Sequence, residues 1–431
     1  MTKKEVVMAQ AQLWRPGRVS RRRFLTMSAI AAGGAALVGC NRGNGGDGAV
    51  DEQEAIAVGS ILDSSGPLNS YGAPMVDSTG FAIDDINANG GVLGRKLQLI
   101  QRDGQSDDAV YVQAANELIL DKQVAVLMGG ITSASRESVR PVVDRNPVVY
   151  FYNEQYEGGV CDKFVFNTGV VPTQQLETLI PWAIENVGPK FYTLAADYNY
   201  GQISADWVRN ILEQEGGELL GTDFIPLEVA EFRSTLNKLQ EARPDTVMSL
   251  LVGGNHIAFY RQFAAAGLRD QMKIVSPTFG LGNEQVVLSP DESAEITVSY
   301  PYYQELDTAA NEDFVAKWHE RFGEDYAYIT DSANVVWIGW HLWAQAVEEA
   351  GTTEMDPVIK ALESGLTFEA PEGTVTMDGP SHHLIHNVHI ARTNDRSGFD
   401  IIESFEGLEP TFEQEVCDLV GEPDQHTQFT P

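Results

Sequence analysis

The sequence predicts an α/β protein built as two doubly wound parallel-sheet lobes. Short apolar, β-branched runs alternate with longer helical stretches from residue 55 onward. Gly, Asp or Ser residues close most of the runs, as βα turns require. The alternation stops near residue 170 and starts again, and two such series in about 370 residues make two lobes on length alone. No short-period repeat is present.

In order, strands are predicted over 55–62, 96–102, 124–128 and 148–152, with helices over 74–89, 109–120 and from 133 or 135 toward Pro141. Asp63-Ser64-Ser65-Gly66-Pro67 ends the first strand, and Gly90-Gly91 closes the first helix. This βαβαβαβ order is the signature of a parallel doubly wound sheet. Residues 164–168 read as a crossing strand. The second series has helices over 173–186, 203–214, 232–242 and 258–265 and strands over 191–196, 218–225, 246–251 and 273–276. Residues 296–303 read as another extended crossing. Helices over 311–322 and 332–350 follow, then extended segments over 373–377, 388–392 and 398–404, so the chain changes lobe more than once. The tail after Leu408 is acidic and Pro-containing and is expected to wrap the surface or fray.

The chain is organised around residues 124–140, VAVLMGGITSASRESVR. A buried strand ends at Gly129-Gly130, and Ser133 or Ser135 can cap the helix that follows. Free backbone N–H groups and hydroxyls therefore face outward at the carboxyl end of a strand. Ligands sit there in open α/β sheets, and a helix N-terminus favours a carboxylate or carbonyl oxygen. An ordinary βα turn is the plain alternative.

The N-terminus carries Ser20-Arg21-Arg22-Arg23-Phe24-Leu25 before an apolar, Ala/Gly-rich run over 26–38. A basic segment followed by such a run is an export signal, and the run is too short to span a membrane. The arginines resemble a twin-arginine signal. Leu37-Val38-Gly39-Cys40 resembles a lipobox, which implies lipidation of Cys40 and removal of residues 1–39. Residues 40–54 then form a Gly-rich tether. The expected location is outside the cytoplasm, on a lipid anchor with two acyl chains.

The formal charge is −33 over 431 residues. Residues 1–39 hold seven Lys and Arg against Glu5, a net +6, so the mature part carries about −39. Nucleic acid and anionic membrane surfaces are poor partners for such a chain. Its 43% hydrophobic content is ample for a core. Salt screens acid excess to a Debye length of roughly 3 Å at 1 M, so the balance points to a halophile. Twin-arginine export of a lipoprotein points further to an archaeon.

The order of elements and the segments DSSGPLNSYG, INANGGVLGRKLQL, MGGITSASRESVRPVV, QYEGG, ADYNYG and APEGTVTMD…HHL resemble the type I periplasmic-binding-protein fold over about 55–406. Within it they resemble substrate-binding lipoproteins of urea, short-chain amide and branched-chain amino acid ABC transporters. Tyr156-Glu157-Gly158-Gly159 and the Ala-Pro-Glu-Gly…His-His pattern point to the urea/amide branch. The resemblance implies a ligand enclosed between two lobes joined by three hinge crossovers, near Val170, Tyr300 and Thr367. Lobe 1 would comprise 55–170 and 303–367, lobe 2 171–302 and 368–406, and the acidic tail 407–431. It also implies a membrane permease as partner. No cofactor is expected, and either a monomer or a homodimer fits.

Carried over by the resemblance, Ile131, Thr132, Ser133 and Ser135 hold the ligand's polar end, with Ser133 the ligand serine. Ile131 stands where the amide binders have a tyrosine. Tyr152 matches a site aromatic. Tyr198 and Tyr200 match the second lobe's aromatic contacts, although tyrosines two apart can also share one strand face. Gly253, Gly254, Asn255, Thr278 and Phe279 end strands at the site, and Tyr302 and Tyr303 lie at the second crossing. Glu154 departs from the pattern. A buried carboxylate needs a cation or several N–H donors, so Glu154 is expected to meet an amide NH₂, a guanidinium or an amino group. Facing solvent or pairing with Arg136 is the alternative. Aromatic walls with few polar groups suit a small planar ligand, enclosed away from water.

No catalytic constellation emerges, and the chain is not expected to be an enzyme. His382, His383, His386 and His389 lack zinc-finger spacing, Asp63-Ser64-Ser65-Gly66 is not a nucleophile elbow, and Gly129-Gly130 lacks the dinucleotide fingerprint and the P-loop lysine. Cys161 and Cys417 remain as a pair in an oxidising compartment, either free or bridging the tail to the second lobe. A ligand-sensing receptor of the same fold is the competing binding function, and an extracellular hydrolase the competing enzyme.

Overall fold

The computed structural model describes residues 55–431; the signal, Cys40 and the tether assigned to 1–54 lie outside the described residues. The first part of the chain forms β1 (Ile56–Leu62), α1 (Asn69–Ala88), β2 (Leu97–Asp103), α2 (Asp108–Asn116), β3 (Val126–Gly129), α3 (Ser133–Arg145), β4 (Val149–Tyr152), β5 (Val160–Asp162) and β6 (Val165–Asn167). Next come α4 (Pro172–Asn186), β7 (Lys190–Ala196), α5 (Asn199–Glu215), β8 (Glu218–Ile225), α6 (Arg233–Ala242), β9 (Thr246–Leu250), α7 (Gly254–Ala265) and β10 (Lys273–Ser276). Two single turns, α8 (Glu284–Val287) and α9 (Pro290–Ser293), precede β11 (Thr297–Tyr300). The chain ends with α10 (Ala309–Phe322), α11 (Asp331–Ala350), α12 (Met355–Leu362), β12 (Thr367–Ala370), β13 (Gly373–Asp378), β14 (His383–Thr393), β15 (Phe399–Leu408), α13 (Thr411–Val416) and β16 (His426–Gln428).

The strands run β2-β1-β3-β4-β6-β14-β11-β10-β9-β7-β8. β2 through β6 are parallel to one another, and β11 through β8 form a second parallel set. Two doubly wound sheets are thus joined edge to edge through one long strand, β14. Its first residues pair with β13 and β6, and its later ones with β11 and β15.

This arrangement corrects several expectations. Residues 164–168 cross nothing at first: β6 is a parallel member of the first sheet, with Tyr150 opposite Val165. The third crossing lies inside β14, not at Thr367. The β12–β13 hairpin, expected in lobe 2, folds back onto the start of β14 beside β6 and so extends the first sheet. Of the two outcomes expected for the tail, it is held against the folded chain and does not fray. Cys161 on β5 is disulfide-bonded to Cys417, 256 residues away, and β16 pairs with β5. Because β5 lies between β4 and β6, the bridge ties the tail to the first sheet's side and not to the second lobe.

The core explains why the central strands read as unbroken apolar runs. All residues of β3 and β4 are buried, since helices cover both faces of a parallel sheet. α11 is apolar nearly all round, burying Trp337, Trp340 and Trp343. Phe81 of α1 meets Trp337 and Trp318 at ring-centroid distances of 4.7 and 5.7 Å. Among the described residues, no helix is long and apolar enough to cross a membrane.

Candidate functional site

The βα turn at 129–135 is built by backbone geometry. Gly129 and Gly130 have φ of +120° and +95°. A Cβ on Gly129 would stand 2.2 Å from the Ile61 carbonyl oxygen, so only glycine lets β3 end here. The cap of α3 is Thr132, in place of Ser133 or Ser135. Its Oγ1 accepts from the Ser135 N–H at 3.0 Å, and Ser135 Oγ accepts from the Thr132 N–H at 3.2 Å. The cap uses up both side chains and leaves Ser133 for the cleft.

A small cavity lies between the two sheets' ends. Of the residues assigned to the ligand from the sequence, Ile131, Ser133, Glu154, Tyr198, Tyr200 and Thr278 line it. Tyr71, Gln155, Val252 and Leu281 line it too and were not singled out. The tyrosines do not share a strand face. Tyr198 is the N-cap residue of α5 and Tyr200 lies in its first turn, their rings 6.0 Å apart. A helix start turned by one residue puts both on the cleft side.

Other expected residues lie elsewhere. Thr132 and Ser135 line a larger neighbouring hollow, which also borders Tyr198. Tyr152 sits behind the cavity and donates to the Ile131 carbonyl at 2.9 Å. Asn255 donates to the Pro226 carbonyl at 3.3 Å, and Gly254 begins α7 beside it. Phe279 packs edge-on against Tyr260. Tyr302 and Tyr303 line a separate cavity next door.

Behind Ser133 is a buried ion pair. Arg136 donates to Glu157 at 2.9 Å, and its guanidinium carbon lies 4.4 Å from the centre of the Tyr156 ring. Ser133 Oγ donates to the other Glu157 oxygen. Gln428, from the tail, donates to the oxygen that pairs with Arg136 at 2.6 Å. Burial works against the Arg136 charge, and Glu157 with Glu137 more than offsets it, so the guanidinium stays firmly protonated.

Glu154 neither faces solvent nor pairs with Arg136, which Glu157 has taken. It is 4% exposed, and its carboxylate accepts from Ser332 Oγ at 2.7 Å and from the Gln155 N–H at 3.0 Å. Burial pushes its pKa up to about 7, although both hydrogen bonds pull the other way. The native state therefore holds this proton at pH values where the unfolded chain has released it. Stability is full below about pH 4.5 and falls as pH rises to about 7, by about 3 kcal/mol for this group. Glu413, also raised to about 7 by burial, adds a slope of the same sign. Glu154→Gln is expected to remove its share of that slope in urea unfolding of the solute-free protein measured at pH 5 and pH 8.

Across the cleft, α1 reaches the second half. Tyr71 donates to Glu284 at 3.2 Å and accepts from the Gly253 N–H at 3.3 Å. Glu284 in turn accepts from the N–H groups of Gly280 and Gly282 at 2.7 and 3.1 Å. The four histidines near the C-terminus do not converge. His382 stacks on Phe166, His383 is held neutral by burial against Tyr156, His386 meets Glu372 and His389 meets Ser404.

A family model described as periplasmic binding protein matches residues 55–398. The chain is 20% identical to the Leu/Ile/Val-binding protein homolog 6 of Brucella melitensis over 321 residues, 72% of this chain and 82% of that protein. It is 26% identical to the Leu/Ile/Val-binding protein of Escherichia coli over 249 residues, 56% of this chain and 66% of that one. A solute-binding protein of an ABC transporter from Rhodopseudomonas palustris, solved with 3,4-dihydroxybenzoic acid, superposes with a TM-score of 0.74 at 22% identity, covering 83% and 99% of the two chains. An amino acid ABC transporter substrate-binding protein from Pseudomonas fluorescens gives 0.72 at 19% identity, covering 85% and 99%. With the matched span covering both sheets and the cleft between them, the chain belongs to the periplasmic binding protein family.

Proposed function

We propose that the protein is the extracytoplasmic solute-binding component of an ABC importer. It closes two lobes over a small polar solute and delivers it to a membrane permease. The observation that carries this reading is the buried Glu154 carboxylate on the wall of an interlobe cavity, opposite Tyr198 and Tyr200. A solute bearing N–H groups would add donors to the two that the Glu154 carboxylate already has in Ser332 and the Gln155 N–H, while the tyrosine faces exclude water. Urea or a short-chain amide would place an NH₂ on Glu154. An amino acid is the second reading, favoured by the α3 N-terminus at Ser133, where a ligand carboxylate would meet backbone N–H groups. Such a solute would bridge the lobes and stabilise the closed state by its differential affinity.

Thermal unfolding in multimolar KCl, with a panel of urea, acetamide, formamide, leucine, glutamate, agmatine and choline, tests the assignment. A solute at 100 times its Kd adds about 2.7 kcal/mol. A shift with urea or amides alone supports the first reading, and a shift with amino acids alone supports the second. No shift with any of them contradicts both. The same chain is proposed to be held at the outer face of the membrane through Cys40 after twin-arginine export. Cys40→Ser is expected to move it from the membrane to the soluble fraction, and its retention in membranes would refute the anchor.

A further inference from the structure

Gln155 lines the solute cavity beside Glu154 and is 6% exposed. Its backbone N–H is taken by the Glu154 carboxylate at 3.0 Å. Its side-chain oxygen accepts from Gln175 Nε2 at 2.8 Å. Gln175 stands on α4 and is itself buried. The same Gln175 nitrogen also meets the carbonyl oxygens of Ser299 at 2.6 Å and Pro277 at 3.1 Å.

Those two carbonyls decide which way round both amides lie. A carbonyl oxygen only accepts, so the Gln175 atom beside them is its NH₂ nitrogen. The Gln155 atom that meets this nitrogen is then the oxygen. The Gln155 NH₂ group is left for the cavity, and it makes no hydrogen bond among the described residues. The peptide that carries it is closely held. A Cβ on Gly169 would stand 2.1 Å from the Glu154 carbonyl oxygen and 2.4 Å from the Gln155 nitrogen, so the chain leaving the first sheet packs directly on this unit.

Neighbouring residues on one cavity wall thus present an acceptor, the Glu154 carboxylate, and a donor, the Gln155 NH₂. In the empty cleft a water can take that donor. A solute that displaces the water without bringing an acceptor strands a buried N–H group, which is a strong ground for rejection.

We infer that Gln155 is a specificity-determining residue, whose NH₂ donates to the carbonyl oxygen of a carboxamide or urea while the solute's own NH₂ meets Glu154. The inference rests on the solute-binding reading above and narrows it to solutes that carry both groups. Guanidinium is the telling contrast. It has the shape of urea but replaces the C=O with a further N–H donor, so it suits Glu154 and opposes Gln155.

Calorimetric titration of wild type, Gln155→Glu and Gln155→Met with urea, acetamide and guanidinium tests it, at pH 8, above the Glu154 pKa of about 7. Gln155→Glu keeps an oxygen for Gln175 and turns the cavity-side group from donor to acceptor. Urea and acetamide affinity is expected to fall about tenfold or more in both variants, the worth of one buried hydrogen bond. Guanidinium affinity is expected to hold in Gln155→Met and to rise in Gln155→Glu. A merely structural role would weaken all three solutes together. Unchanged amide affinity in the variants, or an equal loss for every solute, overturns the inference and leaves the amide reading standing. Wild type that binds neither urea nor acetamide overturns the amide reading, and the inference with it. Should Gln155→Glu fail to fold, Gln155→Met decides. Crystals of the wild-type protein with acetamide give an independent reading. The carbonyl oxygen is expected within about 3.2 Å of Gln155 Nε2, and an amide turned away from that atom refutes the assignment.

Discussion

Arg136→Met is expected to destabilise the protein by about 3–5 kcal/mol, because it strands Glu157 as an unpaired buried charge. Arg136 is fully buried and Glu157 is 1% exposed. Glu157 also collects Ser133, Gln428 and Arg136 on its two oxygens. Removing the guanidinium therefore disturbs the cleft serine and the tail together. The double variant Arg136→Met, Glu157→Gln is expected to recover part of the loss, since it removes both charges. Urea unfolding of the two single variants and the double variant measures the coupling. Additive losses would mean that the pair does not act as a unit. Solute affinity is expected to fall in Arg136→Met, because the Ser133 hydroxyl is then held only by an unbalanced carboxylate.

Loss of the Cys161–Cys417 bridge is expected to cost up to about 5 kcal/mol, since it closes a loop of 256 residues. The bridge is not the tail's only tether. Cys417 and Leu419 are buried beside Cys161, Glu413 accepts from the Gly159 N–H at 2.9 Å, and β16 pairs with β5. Cys161→Ser with Cys417→Ser should therefore loosen the tail without unfolding both sheets. Limited proteolysis is expected to cut first within 409–431, and the melting midpoint to drop. A variant that melts and resists protease like wild type would show the tail to be held by its strand and core contacts alone. Gln428 joins this tail to Glu157, so the double variant is also expected to weaken solute binding.

Much of this was legible because local signals and global fold agree. The β3 run, the two glycines and the hydroxyls of 131–135 sit in one short window, and each residue's task there follows from its immediate neighbours. The parallel strands read clearly for the same reason: helices cover both faces, and the apolar runs are continuous. The features that escaped depend on distant partners. α12 has only eight residues, with Pro357 in its first turn, and the sequence analysis assigns it no element. β5 and β16 have three residues each and exist only through each other. β14 offers no internal sign that its two ends belong to different sheets.

The site shows the same division. Ser133, Tyr198, Tyr200 and Thr278 stand at element ends, where a one-dimensional reading can place them. Tyr71 lies in the first turn of α1, ahead of the helix start expected at residue 74, and its contact is with Glu284, 213 residues later. Tyr302 was placed near the cleft by its position at a crossing. A crossing has several sides, and its side chain entered the neighbouring cavity. Glu154 was recognisable as out of place, but its partner Ser332 is 178 residues away.

The pH dependence of solute affinity tests the central claim most directly. The solute that stabilises the protein is titrated by calorimetry against wild type and Glu154→Gln between pH 5 and pH 9. A solute that donates N–H groups to Glu154 needs the ionised carboxylate, whose pKa is about 7. The expected wild-type affinity rises up to tenfold per pH unit below pH 7 and levels off above it, while Glu154→Gln binds more weakly and shows no such rise. Equal affinity and the same pH profile in both proteins would contradict the assignment of Glu154 as the solute's partner.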